Sequence, residues 1–238
     1  MKIDVCIVTK NPFPSIPGLE YVPVNKLIIE TSTPLGLARM RAIHKVTTPI
    51  FAFIDDDAEL DKAWFDTLSP YIQDPHVGAV QGILSPSGLG EKWNKALKKD
   101  KRDPIILKFG GRGFTHNTLI KTELVKDWIP PEGLSAWEDY DLSMHILEKD
   151  HSWLKVSTES HHNRNWKRTW NQDWGIIGRK RYFPSRRDSL VQIAKKLVWI
   201  IRVSFSFSIH WRAKIYRIYH STGSIWAHMK WLYTSAGM

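Results

Sequence analysis

The chain has 238 residues, 42% of them apolar, a single cysteine and a formal net charge of +10. This length and apolar content suit one large domain, or one domain with an appendage, and exclude a disordered chain. The lone Cys6 excludes an internal disulfide and a thiolate zinc cluster, and the apolar run in MKIDVCIVTKNP is too short for a secretion signal, so a reducing cytosol is the expected compartment.

In chain order, Ile3 to Thr9 (IDVCIVT) reads as a strand buried on both faces, running into the Pro-rich loop KNPFPSIPG. Asn25 to Glu30 is a second short strand, closed by a carboxylate. Leu35 to Val46 is predicted helical, with Thr33 as N-cap and Pro34 at the first position. Ile50 to Ile54 is a third apolar strand, and three consecutive carboxylates, Asp55, Asp56 and Asp57, follow it. Beyond them come a helix over Trp64 to Tyr71, a strand over Val77 to Leu84, a charged exposed helix or loop over Glu91 to Lys101 and a glycine-rich turn over Phe109 to Phe114. A helix over Tyr140 to Lys149 and a strand over Ser152 to Thr158 complete the body and deliver the chain to His161 and His162.

Strand, helix, strand at this spacing predicts parallel pairing, because parallel neighbours need a long crossover. Ligands of such sheets bind beyond the carboxyl ends of the strands. Thr9, Lys10, Asn11, Glu30 and the triple Asp are therefore expected along one crevice. If the strand stays extended, Asp55 and Asp57 share a face and Asp56 points elsewhere. Two hard carboxylates from one segment suit Mg²⁺ or Mn²⁺ completed by water and substrate phosphates. The competing reading is an acidic surface loop or a helix N-terminus.

The order of these features, from the buried first strand through Leu37-Ala38-Arg39, FIDDDAEL, the Gly-rich turn and Trp137-Glu138-Asp139 to a strand ending in His, resembles a family 2 inverting glycosyltransferase over residues 3–162. The resemblance implies an α/β GT-A fold: a Rossmann-like, mostly parallel sheet flanked by helices. It also implies that Asp55 and Asp57 meet the diphosphate of a nucleotide sugar through a divalent cation, with His162 or His161 approaching the same ion and Glu59 as a further oxygen donor. Asp139 matches the catalytic base. Thr9, Lys10, Asn11 and Glu30 lie where relatives hold base and ribose, and Arg39 where they hold the nucleotide. Arg112 is a candidate to offset leaving-group charge. A base is needed to take the acceptor hydroxyl's proton; an acceptor that is an ionised phosphate needs none, and Asp139 would then position groups. The first loop, T-K-N-P, and Gly110 to Gly113 depart from the family's usual pattern.

The charge is unevenly spread. Residues 1–162 carry 19 Lys and Arg against 22 Asp and Glu, whereas residues 163–238 carry 15 against only Asp173 and Asp188 and hold seven of the twelve Trp. The division expected is a catalytic domain over 1–162 and a basic, Trp-rich helical appendage over 163–238. In Leu190 to Ile201 the apolar residues 190, 193, 194, 197, 198 and 201 recur at helical spacing. The longest uncharged run, Val203 to Trp211, is far below the ~20 residues of a bilayer span. Such helices suit a membrane surface, where cations meet anionic headgroups, and RKRYFPSRR is the strongest charge block; packing on the catalytic domain or a homodimer seam competes, and nucleic acid is not an expected partner.

The function expected is transfer of a sugar from a UDP- or GDP-linked donor to a lipid-linked or glycan acceptor by a cytoplasmic protein peripheral on the inner face of the cell membrane. The alternatives are a polyprenyl-phosphate sugar synthase and, in other classes, a nucleotidyltransferase or a non-catalytic membrane- or nucleic-acid-binding module.

Overall fold

A computed structural model describes residues 1–86, 103–134, 137–162, 186–206 and 211–234. They fall into two compact units, one holding the described residues up to 162 and the other those from 186 onward. The predicted element over residues 91–101 and most of the RKRYFPSRR block lie outside the described residues.

Among the described residues of the first unit, eight strands form one sheet. They are β1 (Ile3–Val8), β2 (Val24–Glu30), β3 (Ile50–Ile54), β4 (Ala58–Glu59), β5 (Val77–Pro86), β6 (Ile105–Ile106), β7 (Asn117–Lys121) and β8 (Ser152–His162), in the order β2-β1-β3-β7-β5-β8-β4 with β6 also on β8. β1 pairs parallel with β2 and β3, and β5 parallel with β8, while β7 runs antiparallel between β3 and β5. The helices are α1 (Leu35–Lys45), α2 (Trp64–Ile72) and α3 (Glu138–Leu147). The α/β sheet flanked by helices is as expected, its β2-β1-β3 and β5-β8 parts parallel, and β7, the segment after the glycine-rich turn, inserts antiparallel at its centre.

Alternation along the strands builds two cores. Val5, Ile7, Ala52 and Ile54 pack on one face with Trp64, Leu68 and Ile72 of α2; Cys6, Phe51 and Phe53 pack on the other with Ala42 and Ile43 of α1 and Leu142 and Ile146 of α3. Each large side chain fully buried in this way contributes about 1.5–3 kcal/mol. The helix α1 starts one residue later than predicted: Pro34 is its N-cap, offering its carbonyl to the Ala38 N–H at 3.1 Å, and Thr33 lies outside it. The last strand is longer than predicted. β8 runs through His161 and His162, which pair with Glu59 and Ala58 of β4, so neither His stands in a turn.

Glu30, buried at the end of β2, accepts hydrogen bonds from Lys45 Nζ at 2.8 Å and the Ser32 N–H at 3.1 Å. Burial works to raise its pKa, but the bonds from Lys45 and Ser32 outweigh that and hold it at about 2. The resulting stability is complete above the ordinary value of 4.5 and is lost as pH falls through about 2. Acid unfolding followed by circular dichroism is expected to show Glu30→Gln less stable than wild type above pH 4.5, with the difference closing as pH falls toward about 2.

The second unit contains α4 (Arg186–Ser204) and α5 (Trp211–Thr234), packed against each other. Their covered positions are small or polar: Ser189, Val203, Ser221 and His228 are buried, and His228 Nδ1 lies 3.3 Å from Ser189 Oγ. The large apolar residues point outward instead. Leu190, Leu197, Val198, Trp199 and Ile201 of α4 and Trp211, Ile215 and Trp226 of α5 are all exposed. Among the described residues no helix is long and apolar enough to cross a membrane.

Candidate active site

The parallel β2-β1-β3 layer brings the ends of three strands together. The Thr9 N–H donates to the Glu30 carbonyl at 3.1 Å, and Thr9 Oγ1 donates to the Asp56 carboxylate. Asn11 closes the chain onto the same point, its N–H donating to Thr9 Oγ1 at 3.0 Å, while Lys10 is exposed beside it.

The triple Asp is not extended. The Asp55 N–H donates to the His116 carbonyl at 3.0 Å, and the Ala58 N–H returns to the Asp55 carbonyl at 3.1 Å, so residues 55–58 form a tight turn between β3 and β4. The extended backbone expected of a strand therefore does not continue here, and Asp56, itself exposed, is bound to Thr9 at the end of β1. The physical reason is local, since adjacent carboxylates relieve their repulsion by turning. Asp55 is reached by Arg39, whose Nη2 lies 3.4 Å from Oδ1. Ala58 pairs with His162, so the β4–β8 ladder carries the backbone of His162 to the residue next to Asp57; its side chain is outside the described set. Glu59 is exposed opposite His161.

Arg39 links this turn to α3. Its side chain is only 6% exposed, its Nε donates to Glu138 Oε1 at 3.1 Å, and its guanidinium lies 5.0 Å from the centre of the Phe53 ring. Burial alone would lower the pKa of Arg39, but the charges of Glu138, Asp55 and Asp139 outweigh it and raise it, so the cation is retained. Burial pushes the Glu138 carboxyl up, and neighbouring Asp139 adds to that. Glu138 escapes a sequence reading because its partner is 99 residues away.

Asp139, buried in the first turn of α3, pairs with Arg112 rather than with the Asp55 turn. Arg112 Nε donates to both carboxylate oxygens, at 2.9 and 3.0 Å, and Asp139 Oδ1 also accepts the Tyr140 N–H at 2.8 Å. The guanidinium is flanked by Phe114 at 4.9 Å and Trp137 at 4.8 Å to the ring centres. Trp137 adopts φ 65°, a left-handed conformation that costs a bulky residue about 1–3 kcal/mol and concentrates at working sites. Lys155 of β8 completes the group, donating to the Arg112 carbonyl at 2.8 Å. A lone Lys in SWLKVST was the available signal for it.

The glycine-rich turn needs at least one of its glycines. A Cβ on Gly113 would lie 2.5 Å from the Trp153 ring, and the Gly113 N–H donates to Ser143 Oγ at 3.2 Å. Gly113→Ala is therefore expected to lift the 110–114 turn from Trp153 and to cost about 1–3 kcal/mol, seen as a lower melting temperature.

The donor set around the turn fits a hard divalent cation only in part. Asp55 and Asp57 offer carboxylate oxygens, and among the described residues no group of three His, Cys, Asp or Glu could hold a metal. Two carboxylates fit an ion such as Mg²⁺ that takes its remaining oxygens from water and substrate phosphates, and do not make an all-protein cage.

Residues 23–127 match the family described as glycosyl transferase family 2. The solved structure of glucosyl-3-phosphoglycerate synthase from Mycobacterium tuberculosis, in complex with Mn²⁺, uridine-diphosphate-glucose and phosphoglyceric acid, superposes with a TM-score of 0.50 at 16% identity, covering 74% of this chain and 77% of that one. S. aureus TarS 1-349 aligns with a TM-score of 0.47 at 14% identity, covering 100% and 92%. The first unit thus has the GT-A fold, a mixed sheet flanked by helices, and residues 23–127 of it carry the match to glycosyl transferase family 2. A curated protein, probable allantoicase of Schizosaccharomyces pombe, is 32% identical over 128 residues, 51% of this chain and 36% of that protein. The chain therefore spans about a third of the length of the curated relative it matches.

Proposed function

We propose that this protein is an inverting, metal-dependent glycosyltransferase that moves a sugar from a UDP- or GDP-linked donor to a hydroxyl of a lipid-linked or glycan acceptor at the cytoplasmic face of a membrane. One observation carries the reading: Arg39 joins the Asp55 turn, at the carboxyl edge of β3, to the Glu138-Asp139 pair that opens α3. Thr9, Lys10, Asn11 and Glu30, at the ends of β1 and β2, receive the nucleoside, as the strand-end rule for such sheets leads one to expect. Asp55 and Asp57 would hold Mg²⁺ or Mn²⁺, with His162 as the candidate third donor, and a bound divalent cation supplies charge that offsets the leaving diphosphate.

The remaining chemistry belongs to the chain's own side chains. Asp139 accepts the proton of the acceptor hydroxyl as its oxygen attacks the anomeric carbon. Attack opposite the departing diphosphate inverts the centre, and the electron pair of the broken carbon–oxygen bond leaves with the phosphate. Arg39 keeps Asp55 and Glu138 in place from a buried position, so little reorganisation accompanies the charge movement.

Thermal melting with UDP- and GDP-sugars, with and without Mn²⁺, tests the donor assignment. Stabilisation that needs both sugar nucleotide and metal is expected, and Asp57→Ala should abolish the metal-dependent part. Stabilisation by nucleoside triphosphates alone would favour a nucleotidyltransferase. The exposed apolar residues of α4 and α5 together with the tail's charge support the membrane assignment. Co-sedimentation should be strong with anionic vesicles and weak with neutral ones, and reduced by Trp199→Ser with Trp226→Ser; equal recovery in all four arms would remove the membrane from the proposal.

A further inference from the structure

Two cations stand beside the proposed base: Arg112, paired with Asp139, and Lys155, bound to the Arg112 carbonyl. Glu138 is engaged by Arg39, which leaves Asp139 as the ion-pair partner of Arg112. Arg112 uses only Nε on Asp139, and its side chain is 35% exposed. Phe114 and Trp137 flank the guanidinium and fix its plane, which costs Trp137 a left-handed backbone. Lys155 is half-buried, with its Nζ on the Arg112 carbonyl and 5.2 Å from the centre of the Phe114 ring. A planar fork whose terminal nitrogens have no hydrogen-bond partner among the described residues, next to a half-buried ammonium, is the donor set that recognises a tetrahedral oxyanion.

We infer that Arg112 and Lys155 form an acceptor subsite for a phosphate group, and that a phosphate bound there draws Arg112 away from Asp139 and so frees the base. The inference rests on the glycosyltransferase reading and narrows its acceptor to a molecule bearing a phosphate beside the attacking hydroxyl. Burial lowers the pKa of Lys155, Asp139 raises it and Arg112 lowers it again, so an arriving anion relieves the strain of holding two cations together. In the resting protein Asp139 is occupied by Arg112. With phosphate on the fork, the Asp139 oxygens become available to the hydroxyl proton, and transfer without a phosphate-bearing acceptor is slow. Arg112 and Lys155 are positioning residues in this scheme; Asp139 alone takes the proton.

Isothermal titration of the full-length protein with inorganic phosphate, and separately with geranyl monophosphate in detergent micelles, tests the site. Saturable binding of either probe is expected, weakened at least 10-fold by Lys155→Met and by Arg112→Gln and largely restored in Lys155→Arg. Tighter binding of the micellar probe assigns a lipid phosphate, and tighter binding of the free ion a soluble phosphoester; both support the subsite. Absence of binding by the wild type, or wild-type affinity in both Lys155→Met and Arg112→Gln, overturns it. Nucleotide-sugar stabilisation measured alongside separates the two levels. If donor binding fails, the glycosyltransferase reading fails; if donor binding holds in Lys155→Met and Arg112→Gln and phosphate binding is unchanged in both, only the subsite fails.

Discussion

Asp139→Asn is expected to lower the rate of sugar transfer to a hydroxyl acceptor by about 10²–10⁴, the usual share of a general base, while the affinity for the nucleotide-sugar donor changes by less than a factor of about three. Asn has nearly the shape of Asp and retains an oxygen for Arg112 Nε, now at 2.9 Å from Oδ1, and for the Tyr140 N–H, so the first turn of α3 keeps its geometry. What it lacks is a lone pair basic enough to take a proton. The loss should therefore appear in kcat with KM for the donor nearly constant, the pattern of an interaction made only in the transition state. Arg112→Lys supplies a contrast, because it keeps a cation near Asp139 but loses the planar fork between Phe114 and Trp137. Its cost should fall on acceptor KM more than on kcat. Full turnover by Asp139→Asn would place the base elsewhere.

The parts of the fold legible in the sequence were those set by local pattern. IDVCIV and IFAFI are apolar without alternation because they are buried on both faces, and the two are internal strands paired parallel with each other. The Glu30 and triple-Asp strand ends follow from the same reading, since parallel strands point their carboxyl ends to one edge. The failures all involve partners distant in the chain. Strand periodicity leads one to expect extended backbone through Asp56, but a turn closed by the Ala58 N–H and a hydroxyl from Thr9, 47 residues earlier, tie it to the end of β1. β8 extends through His162 because Ala58 and Glu59 fold back on it, about 100 residues from where it begins to look like a loop. The sheet's antiparallel insertion is likewise invisible locally, since β7 has the composition of any buried strand. In the tail the helical spacing was plain, but not which stripe would be covered: small residues such as Ser189 and Ser221 let α4 and α5 approach and leave Leu197 and Trp199 outside.

Arg39→Met is expected to destabilise the first unit by about 3–5 kcal/mol, the cost of stranding buried carboxylates, and to lower its melting temperature by roughly 6–20 °C. Met fills a similar volume over Phe53, so the loss is electrostatic rather than a cavity. Glu138, itself 6% exposed, would lose its 3.1 Å partner, and Asp55 its 3.4 Å one. Burial already raises the Glu138 pKa, and without Arg39 nothing of comparable strength opposes that rise. Its proton would then be held more tightly in the folded state than in the unfolded one. The sign follows: protonation supports the folded variant at low pH and the support disappears as pH rises through the raised value, so the deficit against wild type should be smaller at pH 5 than at pH 8. A second change separates this from simple misfolding. Arg39→Met combined with Glu138→Gln removes the stranded charge and should recover a large part of the loss at pH 8, with little gain at pH 5. If the double variant is no more stable than Arg39→Met at pH 8, the Arg39–Glu138 pair is not what holds α3 to the Asp55 turn.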